Sequence, residues 1–235
     1  MVPVAGVTLN WYRNEESRTG SCGRWLFGVN QSYARLLGRA DLLPLGIIPF
    51  SEDFRRILES VDILIMTGGG DPDPALYGQS DKGSINSTRE RPLWEMGLYR
   101  TAREMDLPIL GICLGIQLIG MAEGVQLIQD ISTQVTEPLH HHGTPDEPAG
   151  HPVSLVEGTL LHSILGDSVE VSSFHHQAIC CVPDGFRPAA FAGDGVIEGM
   201  ESLDRRVIAV QWHPERDSTG PVMLRRMVEL VRERD

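Results

Sequence analysis

Positive charge is scarce in this 235-residue chain. Lysine and arginine together number 20 against 32 aspartate and glutamate residues, so the net charge is −12, and Lys82 is the sole lysine. Because nucleic acids and anionic membranes select proteins with a basic face, we expect neither as a partner. No apolar run approaches the roughly 20 residues of a membrane span, and the first residues lack the pattern of a signal peptide. We therefore expect a cytoplasmic protein.

Cysteine is also rare, and its spacing excludes two kinds of site. No CxxC pair is present, which argues against a zinc knuckle, and a disulfide scaffold would carry more cysteines. The chain also lacks a P-loop and a GxGxxG segment, so nucleotide binding is not expected. Three consecutive histidines at 140–142 cannot easily share one ion, and we predict a solvated loop there and no metal site. The cysteines are Cys22, Cys113, Cys180 and Cys181.

The apolar pattern predicts an α/β fold in one domain covering residues 1–235. Buried strands alternate with helices in the first half, which is typical of a three-layer, doubly wound, flavodoxin-like and mostly parallel sheet. In the second half we expect extra short strands in a mixed or antiparallel arrangement, and a loop over 127–150. The predicted strands are 4–8, 45–49, 61–66, 109–112, 153–156, 169–171, 186–192, 196–201 and 207–211; the predicted helices are 31–37, 93–105, 114–121 and 222–234.

The segment LPILGICLGIQ at 107–117 places Cys113 between a buried strand and a helix. A nucleophile at such a junction sits on a tight turn, which small neighbours such as Gly111 and Gly115 permit. The positive end of the helix dipole lowers a thiol pKa and makes thiolate accessible. Taken alone, a small buried thiol packed beside glycine would explain the segment equally well.

A second motif, VIAVQWHPE at 207–215, ends another apolar strand in His213 and Glu215. Residues two apart on an extended chain can share a side, so Glu215 can reach the imidazole nitrogen that His213 does not use for catalysis. A cysteine, a histidine and a group that orients the histidine form an activated nucleophile. His213 alone would fit a half-buried structural histidine, but the two motifs together favour catalysis.

These motifs resemble the class I glutamine amidotransferase superfamily. Further segments are similar to its peptidase C26 branch, which includes γ-glutamyl-γ-aminobutyrate hydrolases, and the resemblance covers nearly the whole chain. The chain departs from that branch at three positions. Leu114 stands where arginine is usual, Ser172 where asparagine is usual and Pro92 where aspartate is usual. The matching segments are TGGGDPDPALYG (67–78), RPLWEMGLYRTAREMDLPILGIC (91–113), LIQDI (127–131), HPV (151–153) and SSFHHQAI (172–179).

The resemblance implies which residues surround the thiol. The oxyanion donors would be the N–H groups of Leu114 and Gly69, with Gly68 and Gly70 less favoured, because amide hydrolysis needs two such donors. The expected substrate-binding residues are Gln117, Ser173, Phe174 and His175, and His175 is preferred over His176.

The function that follows is cysteine-dependent hydrolysis of a small-molecule γ-glutamyl amide to glutamate and an amine, through a thioester and without a cofactor. Two alternatives stay open: a glutaminase subunit that delivers ammonia to a synthetase partner, and a non-catalytic γ-glutamyl-binding protein. A place in polyamine catabolism would fit the hydrolase. The sequence fixes neither the leaving amine nor the oligomeric state, and a homodimer remains open.

Overall fold

A nine-stranded sheet runs through the computed structural model, which describes residues 2–13, 25–49, 51–143, 147 and 149–233. Two short antiparallel pairs, β2 with β3 and β7 with β10, lie outside it. The strands are β1 (Val4–Thr8), β2 (Asn10–Arg13), β3 (Trp25–Gly28), β4 (Leu43–Ile47), β5 (Ile63–Met66), β6 (Ile109–Ile112), β7 (Leu127–Ile128), β8 (Ala149–Leu155), β9 (Ser168–Ser173), β10 (Ala178–Ile179), β11 (Phe186–Ala192), β12 (Ile197–Ser202) and β13 (Val207–Val210).

Helices cover both faces of this sheet, as expected for a three-layer α/β fold. In the part of the chain that the structure describes, no helix is both long and apolar enough to cross a membrane. The helices are α1 (Gln31–Leu37), α2 (Phe54–Leu58), α3 (Glu90–Glu104), α4 (Leu114–Ala122), α5 (Ile131–Gln134), α6 (Leu160–Leu165) and α7 (Thr219–Arg232), with 3₁₀ turns at Pro74–Tyr77 and Pro214–Arg216.

The parallel half of the sheet has the order β4-β1-β5-β6-β13. Counted along the chain, these five strands lie in the order 2-1-3-4-5, so the flavodoxin-like prediction is confirmed. Three of them, β5, β6 and β13, are buried at every position, as central parallel strands are. Their carboxyl ends meet at one edge, which is where ligands bind in open α/β sheets.

Antiparallel strands β12, β11, β8 and β9 extend the sheet beyond β13. The mixed second half is therefore as predicted, and the same sheet continues into it. One hydrophobic cluster packs α1, α6 and α7 on one face, and a second packs α2, α3 and α4 on the other.

Several predicted boundaries were wrong. The strand expected at 45–49 is β4 at Leu43–Ile47, because it pairs with β1 from Val4↔Leu43 to Thr8↔Ile47. The loop expected over 127–150 contains β7, α5 and the start of β8; Asp130 caps α5 by accepting from Ser132 N–H at 3.3 Å. Helix α7 starts three residues before the predicted 222, and Arg234 and Cys22 lie outside the described residues.

Candidate active site

Cys113 occupies a strained turn between β6 and α4. Its φ is 52° and its ψ is −102°, in the left-handed half of backbone space that residues with a Cβ rarely adopt. Such a conformation costs about 1–3 kcal/mol and persists only where the surroundings enforce it. At Gly115, a Cβ would lie 2.6 Å from the Met66 carbonyl oxygen, so a side chain there would push α4 away from β5. The tight turn predicted for Cys113 is therefore present.

The pairing of β6 with β13 brings the second motif to the thiol. Ile112 pairs with Val210, and the Cys113 N–H donates to the Val210 carbonyl at 2.9 Å. The chain then leaves β13, and the His213 N–H donates to the Ser172 carbonyl at 2.8 Å. Residues 100 positions apart in sequence are thus held side by side at the carboxyl edge of the sheet.

Glu215 holds the imidazole of His213. Its Oε1 lies 2.8 Å from His213 Nδ1, and both side chains are buried. Burial by itself would lower the pKa of His213. The charge and hydrogen bond of Cys113, together with those of Glu215, outweigh burial and raise that pKa well above its usual value. Because Nδ1 is bound to the carboxylate, Nε2 is the nitrogen left to exchange a proton with the thiol.

The glycine-rich loop after β5 is fixed by side chains from both layers of helices. Tyr33 on α1 accepts the Gly68 N–H at 2.9 Å. Arg91 on α3 donates to the carbonyl oxygens of Gly68 at 3.1 Å and Thr67 at 3.0 Å. In a planar trans peptide the carbonyl and the next N–H point in opposite directions, so the Gly69 N–H points away from Arg91.

The three glycines of this loop differ in their contacts. The Gly68 N–H is already bound to Tyr33, whereas Gly69 and Gly70 line the cavity that contains Cys113. Leu114 is the first residue of α4, where an N–H has no partner within the helix. The Gly68 N–H is thus occupied, whereas Gly69, Gly70 and Leu114 stay candidates for binding an oxyanion.

Arg91 was not identified as a site residue from the sequence. Its guanidinium is buried and is paired with the buried carboxylate of Glu95, Nε to Oε1 at 2.5 Å. It also donates to Asn10 Oδ1. Burial raises the pKa of Glu95, although the Arg91 charge acts in the opposite direction. An arginine in a helix carries no sequence pattern that would point to a loop 23 residues away.

The thiol opens into a cavity of about 300 Å³. A larger depression of about 430 Å³ between α1 and α7 has no thiol or imidazole in its lining, so we assign the site to the smaller cavity. The cavity is lined by Gly69, Gly70, Asp71, Ile85, Asn86, Cys113, Gln117, His142, Phe174, His175, His176 and Gln177.

Only some of the residues predicted to bind substrate line the cavity. Gln117 and Phe174 line the cavity, and the Gln117 amide nitrogen donates to the Gln177 carbonyl at 3.2 Å. Ser173 is fully buried and does not line the cavity; its hydroxyl donates to the His141 carbonyl at 2.8 Å. His175 borders the cavity, but its Nδ1 bonds the Gln177 carbonyl at 3.0 Å and its Nε2 faces a buried carboxylate.

His176 faces the cavity with a carboxylate partner. Its Nε2 lies 2.9 Å from Asp71 Oδ2, and this hydrogen bond, against burial, raises the pKa of His176. His176 and Asp71 therefore form a hydrogen-bonded pair at the cavity wall, whereas the ring nitrogens of His175 face the Gln177 carbonyl and Glu198. Both histidines line the cavity, so the preference for His175 stays a prediction.

The solvated loop predicted at 140–142 is wrong for His141. His140 and His142 are exposed, but His141 is only 3% exposed. Its Nε2 lies 2.8 Å from Asp194 Oδ2, and Asp194 also accepts the Leu139 N–H. Asp194 lies in the turn between β11 and β12 with its side chain buried, and its hydrogen bond to His141 holds this histidine in the interior.

Known proteins agree with this fold. The peptidase C26 family model matches residues 3–215. Protein NtpR of Enterococcus hirae is 35% identical over 192 residues, covering 79% of this chain and 80% of that protein. A γ-glutamyl-γ-aminobutyrate hydrolase of Escherichia coli O157:H7 is 30% identical over 214 residues, covering 86% and 84%. The crystal structure of a glutamine amidotransferase from Thermotoga maritima has a TM-score of 0.61 at 13% identity, covering 100% and 98%.

The fold and the conjunction of Cys113 with His213 define a protein similar to class I glutamine amidotransferases. The chain belongs to the peptidase C26 family. The family and its hydrolase relatives support a hydrolase.

Glu215→Gln tests the orienting role of the carboxylate. We expect kcat to fall by roughly 100-fold or more with little change in KM, because the interaction matters mainly in the transition state. Loss of the negative charge should also lower the pKa of His213, so the alkaline limb of the kcat/KM profile should move to lower pH. Unchanged kcat and an unmoved limb would make Glu215 a structural residue only.

Gly69→Ala and Gly70→Ala compare the two exposed donors of the loop. A Cβ on Gly69 would collide with Arg91 Nη1 and lie 2.8 Å from Leu114 Cδ2, whereas one on Gly70 would meet no atom within 4 Å among the described residues beyond its chain neighbours. We expect Gly69→Ala to lower kcat by about 10²–10³-fold through displacement of the donor. Gly70→Ala should keep most of kcat, and the opposite ranking in steady-state assays would assign the donor to Gly70.

Proposed function

We propose that this chain is a stand-alone cysteine hydrolase of γ-glutamyl amides, of the γ-glutamyl-γ-aminobutyrate kind. The observation that carries the proposal is that residues of the chain itself hold the glycine-rich loop after β5 beside the thiol. Tyr33 and Arg91 fix this loop from opposite faces of the sheet.

The reaction follows from the positions of four groups. Cys113 attacks the side-chain carbonyl carbon of the substrate, and the resulting oxyanion accepts from the Gly69 and Leu114 N–H groups. His213 receives the thiol proton and gives it to the leaving amine as the C–N bond breaks. A water molecule, deprotonated by His213, then cleaves the γ-glutamyl thioester to release glutamate and restore the thiol.

Preorganisation is what distinguishes the hydrolase from a glutaminase subunit. A subunit that feeds a synthetase gains by staying slow until its partner arrives, whereas a stand-alone enzyme needs its donors aligned in advance. Reversing the Gly68–Gly69 peptide would break the bond from Arg91 to the Gly68 carbonyl and leave part of a buried guanidinium unpaired. The loop is thus stabilised in one orientation without a partner.

The cavity suits the head of an amino acid. Asp71, whose carboxylate is hydrogen-bonded to His176 Nε2, lines the cavity and would attract an α-ammonium group. A volume of about 300 Å³ is at the small end for ligand sites, which fits a glutamyl group with a small amine. The non-catalytic alternative is disfavoured, because a binding protein has no use for a strained cysteine beside a carboxylate-held histidine.

A substrate panel tests the proposal. We expect the purified protein alone to release glutamate from γ-glutamyl-γ-aminobutyrate, γ-glutamyl-putrescine or a γ-glutamyl anilide, and to prefer at least one of them to glutamine. Cys113→Ala should keep the fold and lose at least 99% of the turnover, roughly two orders of magnitude, whereas Cys180→Ala, which alters an exposed thiol, should not.

Two results would contradict this function. Activity confined to glutamine, and rising strongly on addition of a synthetase, would support the glutaminase subunit. Absence of turnover across the panel with Cys113 reduced would support a binding protein.

A further inference from the structure

A buried cluster beside the cavity consists of three histidines and one glutamate from separate parts of the chain. His141 follows α5, His151 lies on β8, His175 precedes β10 and Glu198 lies on β12. Their exposed fractions are 3%, 5%, 4% and 0%. One nitrogen or oxygen of each lies within 4.8 Å of the corresponding atom of every other member.

Hydrogen bonds on the outer side of the cluster fix which nitrogen of each ring faces inward. His141 Nε2 lies 2.8 Å from Asp194 Oδ2, and His175 Nδ1 lies 3.0 Å from the Gln177 carbonyl. His151 Nδ1 lies 3.3 Å from the Pro152 carbonyl. Since carbonyl and carboxylate oxygens only accept, each of these nitrogens carries the proton, and the other nitrogen of each ring presents a lone pair.

With these neutral tautomers, the inward atoms are all acceptors and share no donor. His141 Nδ1, His151 Nε2, His175 Nε2 and both Glu198 oxygens are buried without a hydrogen-bond partner among the described residues. Three lone pairs and a carboxylate converging in a dry interior repel one another, and each unpaired group costs about 1–3 kcal/mol. A cation at the centre removes this cost.

We propose that His141, His151, His175 and Glu198 bind one divalent transition-metal ion, with zinc the best match. Glu198 Oε1 lies 3.1 Å from His141 Nδ1, 3.3 Å from His175 Nε2 and 3.7 Å from His151 Nε2. Tetrahedral zinc with ligands at 2.0–2.1 Å places them about 3.3 Å apart. Imidazole ligands favour zinc over magnesium or calcium.

The charges also match such an ion. Glu198 and Asp194 together supply two negative charges, which balance a divalent cation surrounded by neutral imidazoles. A depression of about 70 Å³ beside the cluster is lined by residues that include His141 and His175. The sequence expectation of no metal rested on consecutive histidines, but only His141 of the three belongs to the site.

The role assigned to the ion is structural. Four protein atoms fill a tetrahedral coordination shell, which leaves no position for substrate. The ion would join the loop after α5 to two strands and to the segment that carries Phe174 and His176 into the cavity. It would stabilise that cavity wall. The metal site is tested independently of the proposed hydrolysis, because metal content can be measured without an activity assay.

Metal analysis of untagged protein, purified without affinity metals or chelators, tests this site. We expect about one equivalent of zinc per chain in the wild type and less than about a tenth in Glu198→Gln and His151→Ala. His162→Ala, which removes a partly exposed histidine paired with Asp167, is the matched control and should keep the metal. Removal of the ion with a strong chelator should lower Tm, and zinc should restore it.

Two results would overturn the site: wild-type protein with neither bound transition metal nor a Tm response to added zinc, and metal that persists in both ligand variants. If the variants fail to fold, the chelated wild type reloaded with Co²⁺ decides the question. Intense visible bands of tetrahedral cobalt support the site, and the spectrum of hydrated cobalt contradicts it.

Discussion

The parallel hydrogen bonding between β6 and β13 is the interaction on which the site depends. It places the chain leaving Ile112 beside the chain leaving Val210, and the bond from the Cys113 N–H to the Val210 carbonyl extends the ladder into the turn. From that point the two chains diverge, one into α4 and one toward His213. The strained conformation of Cys113 persists because both flanking elements are buried and cannot move to relieve it.

Buried polar contacts then fix the two walls of the cavity. On one side, the buried guanidinium of Arg91 and the hydroxyl of Tyr33 orient the glycine loop. On the other side, the cluster around Glu198 gathers the segment that carries Phe174 and His176. Each of these two sets of contacts places polar groups in a dry interior, where they are stabilising only if every group has a partner. The proposed oxyanion site and the proposed metal site, at opposite walls, therefore rest on the same principle.

The sequence predicts Cys113, His213 and Glu215 as nucleophile, base and orienting residue because the motifs that contain them follow short apolar strands, and such strands end at one edge of a parallel sheet. It also predicted the parallel half and the mixed second half. It missed Arg91, the pair of Asp71 with His176, and the partners of His141, since these contacts join residues 23 to 105 positions apart without a local pattern. Boundaries at the sheet edge, such as that of β4, depend on register with β1 and not on hydrophobicity alone.

The central claim is that Cys113 forms a covalent γ-glutamyl thioester. Acid quenching of the protein during turnover of a γ-glutamyl anilide, followed by peptide mapping by mass spectrometry, tests it directly. The account predicts that the peptide containing Cys113 gains the mass of one glutamyl group, and that the adduct disappears once substrate is exhausted. Substrate turnover with Cys113 unmodified at every time point, or the adduct on Cys180 or Cys181 instead, would contradict it.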